Sequence, residues 1–458
     1  MRAIRFLIPL LFSASLASAQ LQSVYSFQGT DGAWSRGSLT LVDNVLYGRT
    51  SLGGTYNSGT IFSLNAGTVN SSFNWLYSFN ASPTDGLGNE PHHNALVAVG
   101  DTLYGAALYG GNENNPQTPE PPGTPPPPVF SKDGNGTIFS IKTDGTSYTA
   151  VHAFDGTGTT PVAQDAALPH SPFYLKNGIA YGMTSNGGAN NQGAIYSFSL
   201  ADPVTTYKVD YSFTHDTGFK PHGVLTSDST GTLLLGMARY GGLDDKGVIF
   251  KFDPNQSDPD LAYTVLHEFA GDSTTNGADN AHGFLTLIGT TVYGTTAQGA
   301  TTGPGVGPGS IFSMNEDGTN FQIIHTFGGL GDGIAPFGSL VLVDGLLYGT
   351  TTEGGANGNG TLFSFNPTSS DYALLASFDL STTGGRPEDN IVAWTTGGVT
   401  TLYGLTQNGG MYDTTGESYF GTIFAYTIPE PSTWALLGVA LLFVVGCQYR
   451  RFSSHQVH

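Results

Sequence analysis

Histidine is scarce in this chain, 11 of 458 residues, yet four of the eleven recur in one kind of place. His93, His170, His222 and His282 precede Asn94, Ser171, Gly223 and Gly283, and each stands just ahead of a short apolar run. Three further runs carry Arg36, Phe337 and Glu388 at the corresponding position. Imidazoles gathered at one point could hold a metal, an anion once protonated, or the hydroxyls of a sugar. A duplicated unit would also copy its histidine whether or not the residue does anything. Which reading holds depends on how far apart the framework keeps the rings, because metal–nitrogen bonds are only ~2 Å long.

The chain offers little other chemistry in its motifs. It has no Gly-x-Ser-x-Gly elbow, no His-Glu-x-x-His, no P-loop and no dinucleotide fingerprint. A glycosidase or lyase needs only two carboxylates, which can come from distant segments and leave no local pattern. Among 35 Asp and Glu none stands out as such a pair. The Asp-Gly steps at Asp31, Asp85, Asp155 and Asp332, and the acidic loop at Asp253, Asp258 and Asp260, read as turns. None has the spacing of a calcium loop. Cys447 is the only cysteine and lies near the C-terminus, so the preceding chain holds no disulfide and no Cys-ligated metal. No cofactor or metal is expected. The balance of 15 Lys and Arg against 35 Asp and Glu, a net charge of −20, excludes a nucleic-acid binder and disfavours anionic partners.

The equivalence of these positions comes from a repeat. A Tyr-Gly pair behind an apolar residue recurs at Tyr47, Tyr104, Tyr181, Tyr293, Tyr348 and Tyr403, with Leu235-Gly236 as a seventh, degenerate copy. A Gly-x-Ile-Phe-like element follows each, opening at Gly59, Gly136, Gly193, Gly247, Gly309, Gly360 and Gly421. A third element ends in Phe27, Phe79, Phe154, Phe213, Phe269, Phe327 and Phe378. Each unit reads as four short strands; in the sixth these are residues 338–343, 346–351, 361–365 and 372–378, separated by Asp-Gly, Gly-Gly and Asn-Pro turns. Such runs are too short and too rich in Val, Ile, Thr and aromatics for helices. Seven four-stranded units predict an all-β, seven-bladed β-propeller of antiparallel blades. The chain starts with a spare fourth strand, residues 23–27, and its last unit stops after a third, residues 422–426. Pairing these two would close the ring and remove its open edge. The residue ahead of each first strand would then ring one mouth of the central channel. A seven-fold ring is expected to hold such positions well apart, which argues against direct metal coordination.

The units differ mainly between their second and third strands. From the Tyr-Gly glycine to the next Gly-x-Ile-Phe glycine is 11 residues in four units, but 31 in the second, 15 in the fifth and 17 in the seventh. The longest insertion, residues 112–135, carries a proline-rich stretch that cannot join a sheet. It reads either as a stiff arm over the channel face or as a tolerated surface insertion.

The pattern Leu-Tyr-Gly-x-Thr, Gly-Gly, Gly-Thr-Ile-Phe and terminal Ser-Phe resembles the bacterial GloVer-type tandem repeat over most of residues 21–427. That resemblance implies an exported protein and carries no activity. The end of the chain has Pro429-Glu430-Pro431, an apolar run at 434–447, then Arg450 and Arg451. This order resembles the PEP-CTERM sorting signal, which implies processing by an exosortase in a Gram-negative bacterium. Residues 1–19 read as a signal peptide, with Arg2 and Arg5 ahead of an apolar stretch and Ala17-Ser18-Ala19 at the cleavage site. The expected organisation is a signal peptide at 1–19, a propeller at 20–428 and a sorting tail at 429–458 with a short membrane segment, the chain's only contact with a membrane. The expected function is a non-catalytic scaffold or binding module at the cell surface or in the matrix, for extracellular polysaccharide or envelope partners. The alternative is a carbohydrate-active enzyme using carboxylates at the channel mouth.

Overall fold

The computed structural model describes residues 20–69, 72–80, 91, 95–110, 134–155, 165–170, 173–270, 278–299, 307–328, 331–410 and 420–429. The signal peptide, His93, Asp85, residues 112–133 of the insertion and the tail beyond Pro429 lie outside the described residues. Within them the fold is a ring of seven four-stranded antiparallel blades, a seven-bladed β-propeller. The sixth blade shows the plan, with strands Val341–Val343, Leu346–Thr351, Thr361–Phe365 and Tyr372–Ser377 adjacent in that order. First strands of neighbouring blades meet at the axis, where Thr40 donates to the Leu96 carbonyl, Thr226 to that of Leu285 and Thr286 to that of Leu340.

The ring closes as its two ends require. Leu21–Ser26 pairs antiparallel with Thr422–Thr427, Gln22 opposite Ala425 and Ser26 opposite Thr422. The Phe27 amide donates to the Gly421 carbonyl at 3.1 Å, just as Phe378 does to Gly360 and Phe79 to Gly59 inside single units. The N-terminal strand therefore fills the fourth place of the last blade.

Two of the repeated glycines answer to steric demands. The Tyr-Gly glycine lies opposite the Phe of Gly-x-Ile-Phe on the neighbouring strand, Gly48 against Phe62 and Gly349 against Phe363. The ring folds over the glycine so closely that a Cβ on Gly48 would sit 2.3 Å from Phe62 Cζ, and one on Gly349 2.6 Å from Phe363 Cζ. The glycine that opens Gly-x-Ile-Phe has φ near +100° and its Hα faces a carbonyl, Gly360 against Thr351 O. Apolar side chains fill each interface between blades: Tyr47, Ile61 and Phe79 of the first blade meet Leu96, Leu103 and Phe139 of the second. The repeated tyrosines thus belong to the packing between blades.

Candidate functional site

The segment leading into each first strand is built the same way. Trp34, Leu168, Lys220, Ala335 and Arg386 all adopt φ between 52° and 57°, a conformation that non-glycine residues seldom take. Each stands two residues before the mouth position. Backbone hydrogen bonds hold this kink from both sides. The Leu168 amide donates to the Asn135 carbonyl of the preceding blade at 2.7 Å, while the Leu168 carbonyl accepts from Ser185 of its own blade at 3.2 Å. Ala335 and Arg386 repeat both bonds. In four of the five the next residue is a proline, Pro169, Pro221, Pro336 or Pro387, seated over the Gly-x-Ile-Phe glycine of the blade before; after Trp34 it is Ser35, beside Gly421. Kink and proline together aim the following side chain toward the axis.

Arg36, His170, His222, His282, Phe337 and Glu388 line one cavity of about 270 Å³ at the channel mouth. A seventh lining residue, Arg239, had no place in the sequence reading. It lies three residues past the Tyr-Gly glycine, where the other units have Ser51, Leu108, Ser185, Ala297, Thr352 and Gln407. Comparing that column across the units would have revealed it, as the only cation in its row.

The imidazoles do not stand apart, and here the expectation from seven-fold spacing is corrected. His170 and His222 stack with centroids 4.1 Å apart, His222 meets His282 edge-on at 4.6 Å, and His282 meets Phe337 at 5.0 Å. The reason is the glycine after the mouth residue. A Cβ on Gly223 would lie 2.3 Å from the Gly283 carbonyl, and one on Gly338 2.7 Å from that of Asp389, so neighbouring blades touch backbone to backbone. Close as they are, the rings present faces and edges to one another, and the described residues contain no cluster of three or more His, Cys, Asp or Glu arranged to hold a metal ion.

The charges at the mouth are unequally matched. Arg36 Nε lies 3.2 Å from Glu388 Oε2, and its guanidinium covers the Trp34 ring at 3.9 Å. Arg386 reaches the other Glu388 oxygen at 3.9 Å and pairs with Glu353 at 3.2 Å. Burial raises the Glu388 carboxyl above its ordinary pKa even though both arginines pull it down. Arg239 lies over the Tyr240 ring at 4.9 Å, its Nε has no hydrogen-bond partner, and it enters no ion pair among the described residues. His170 keeps part of its surface on the cavity, but the protein around it and the charges of Arg239 and Lys220 lower its pKa to about 3. His282 is held well below its ordinary value by burial and then by Arg239. Both rings are neutral at physiological pH, each with one N–H to donate and one nitrogen to accept.

Away from the mouth, the Asp-Gly turns do more than turn. Asp31 accepts from Tyr25 and from the Gln28 amide, and Asp332 lies 3.3 Å from His325. In the third unit this part falls to Asp165 rather than Asp155: Asp165 accepts from Tyr207 and sits 3.4 Å from His152. Asp258 caps the short helix Pro259–Ala262.

Comparison with known proteins places these repeats. A model of the Gloeobacter/Verrucomicrobia repeat matches residues 130–307 and 262–437, together more than half of the sequence. The chain belongs to the Gloeobacter/Verrucomicrobia repeat family. Residues 427–451 of this repeat protein match the PEP-CTERM protein-sorting motif, the signal that an exosortase recognises, which marks the chain for export to the surface or beyond. No helix among the described residues is long and apolar enough to cross a membrane; the segment at 434–447 lies outside them. No curated protein matches the sequence. Solved structures resemble the repeat protein only remotely. A candidate 6-phosphogluconolactonase from Bacteroides uniformis is 13% identical, covering 74% of this chain and 83% of its own, with a TM-score of 0.45. One from Bacteroides fragilis is 12% identical, covering 74% and 82%, also at 0.45. An oligogalacturonate lyase in complex with manganese is 12% identical, covering 65% and 84%, at 0.37. Likeness this remote transfers no activity, ligand or metal.

Proposed function

We propose that this repeat protein is a non-catalytic binding module of a Gram-negative envelope, held at the surface or in the matrix after tail processing, and that its channel mouth grips an extracellular polysaccharide or an envelope partner. In this reading residues 1–19 are removed on export, 20–428 form the working body and 429–458 are the sorting tail. The observation that carries it is the convergence of imidazole, guanidinium, carboxylate and phenyl groups from separate blades on one cavity. Polar groups aimed into one cavity fix the orientation and identity of a ligand, and Phe337 adds one apolar face to the otherwise polar wall. The position of His93 in the sequence would add a further imidazole to that ring. Hydrolysis by paired carboxylates requires two such groups about 5–9.5 Å apart, whereas Glu388 is the one carboxylate among the described lining residues, and it is engaged by arginines.

A glycan array with the purified full-length protein tests the reading. The expected result is retention of one glycan class by the wild type and its loss in His222→Ala. Retention of the same glycans by both proteins, or of none, would set the reading aside. Product analysis on each retained glycan is expected to find it intact; a cleaved bond would replace the binding module by the enzyme.

A further inference from the structure

The net charge of −20 conceals a local reversal at the mouth. Of 15 Lys and Arg in the chain, Arg36 and Arg239 line the cavity, Arg386 stands behind Glu388, and Lys220 lies close enough to His170 to depress its protonation. Of the carboxylates there, Glu388 is held between Arg36 and Arg386, Glu353 pairs with Arg386, and Asp389 lies beside Glu388 and acts on Arg49. Arg239 is left over, half-buried on the cavity wall and without an ion pair among the described residues. The neighbouring Tyr240 ring supports it, and Tyr240 in turn packs on Phe219 at 5.4 Å, so the guanidinium is held in place without a countercharge among the described residues.

A cation left unmatched within a pocket is a receptor for an anion, and the planar guanidinium fork suits a carboxylate or sulfate bidentately. Beside it stand the stacked rings of His170 and His222 and the Phe337 ring, and burial keeps His170 and His282 uncharged. Hydroxyls match the imidazoles, and the C–H face of a sugar ring matches the phenyl group. The volume of about 270 Å³ suits one small residue rather than a long chain segment. We propose that the mouth is a receptor for a single acidic sugar residue, its carboxylate or sulfate ester gripped by Arg239 and its hydroxyls held by His170, His222 and His282. This inference rests on the mouth being a binding site.

The experiment is titration calorimetry of the full-length protein at neutral pH with three trisaccharide probes: galacturonate, its neutral methyl ester, and a sulfated galactose. The wild type is expected to bind an acidic probe at least about tenfold more tightly than the ester, as loss of a charge-assisted pair implies. The two acidic arms tell carboxylate from sulfate. Arg239→Gln should abolish the preference, and Arg239→Lys should keep part of it, because the charge remains while the fork is lost. Equal binding of acid and ester, or an undiminished preference in Arg239→Gln, would overturn the inference. Binding of the ester alone would do so while leaving the binding reading in place; no binding of any probe would remove the saccharide reading as well. Should Arg239→Gln fail to fold, the imidazole proton resonances of the wild type decide. Their shifts are expected to reach half-saturation at an at least about tenfold lower concentration of an acidic probe than of the ester, and equal midpoints for both would refute the inference.

Discussion

At the scale of single residues, the mouth puts function and stability in tension. His170, half-buried on the cavity wall, has its pKa lowered to about 3, against about 6.5 when the chain is unfolded. Between those values the unfolded chain binds a proton that the native state refuses, so stability rises with pH across this window. His170 costs nothing above about pH 6.5 and weakens the fold progressively as pH falls toward 3. The slope is about 1.4 kcal/mol per pH unit for one such group, and His282, with its pKa lowered in the same direction, adds to it. Denaturant unfolding at a series of pH values from 7 to 4 should show this decline, and His170→Asn should flatten it by about one proton; an unchanged slope would mean that His170 titrates normally. The tertiary setting alone supplies this behaviour: the repeat marks the position of His170 but not its burial, whereas His215 is left exposed.

At the scale of the strand pair, the unit is stapled by a glycine under an aromatic ring. Gly349 and Phe363 face each other across the second and third strands of the sixth blade, with no room for a methyl group. Gly349→Ala should therefore lose about 1–3 kcal/mol through overpacking. Combining it with Phe363→Leu should cost less than the sum of the two single changes, because the smaller side chain vacates the space the new Cβ needs. A double-mutant cycle by urea denaturation measures this, and strict additivity would refute the steric account. The Tyr-Gly and Gly-x-Ile-Phe columns were legible in the sequence as conspicuous repeats. Their reason was not, because it lies in cross-strand register.

At the scale of the whole molecule, seven interfaces of one kind are closed by a single pairing between residues some four hundred positions apart. Phe27 is fully buried against Phe62 and Phe73 of the first blade, although its strand belongs to the last. Removing residues 20–27 would take away this pairing and leave Thr422–Thr427 as an unpaired edge. The truncated protein is expected to self-associate in size-exclusion chromatography and to melt several degrees below the full chain. A monomer of unchanged stability would show that the ring does not depend on its closure. The seam is also reinforced at the axis, where Ser35 donates to the Thr406 carbonyl at 2.8 Å and Arg36 pairs with Glu388. Arg36 and Glu388 therefore serve both the closure and the cavity, and substituting either would confuse the two. Arg239, on the far side of the mouth, probes the cavity more cleanly.

By itself the sequence determined the repeat number, the strand order within a unit, the closure by its two ends and the export tail. These follow from local signals that a short-range pattern can carry: alternation of apolar residues, turn glycines, and the order of motifs along the chain. It also placed Arg36, His170, His222, His282, Phe337 and Glu388 in one column, because duplication preserves position. Only the tertiary structure decided that these side chains touch. Their separation depends on how closely neighbouring blades approach at Gly223 and Gly338, a backbone contact between units that no single repeat encodes. It alone brought Arg239 to the same cavity, and it alone lowered the protonation of His170 and His282, since burial and the field of distant charges exist only once the ring has closed.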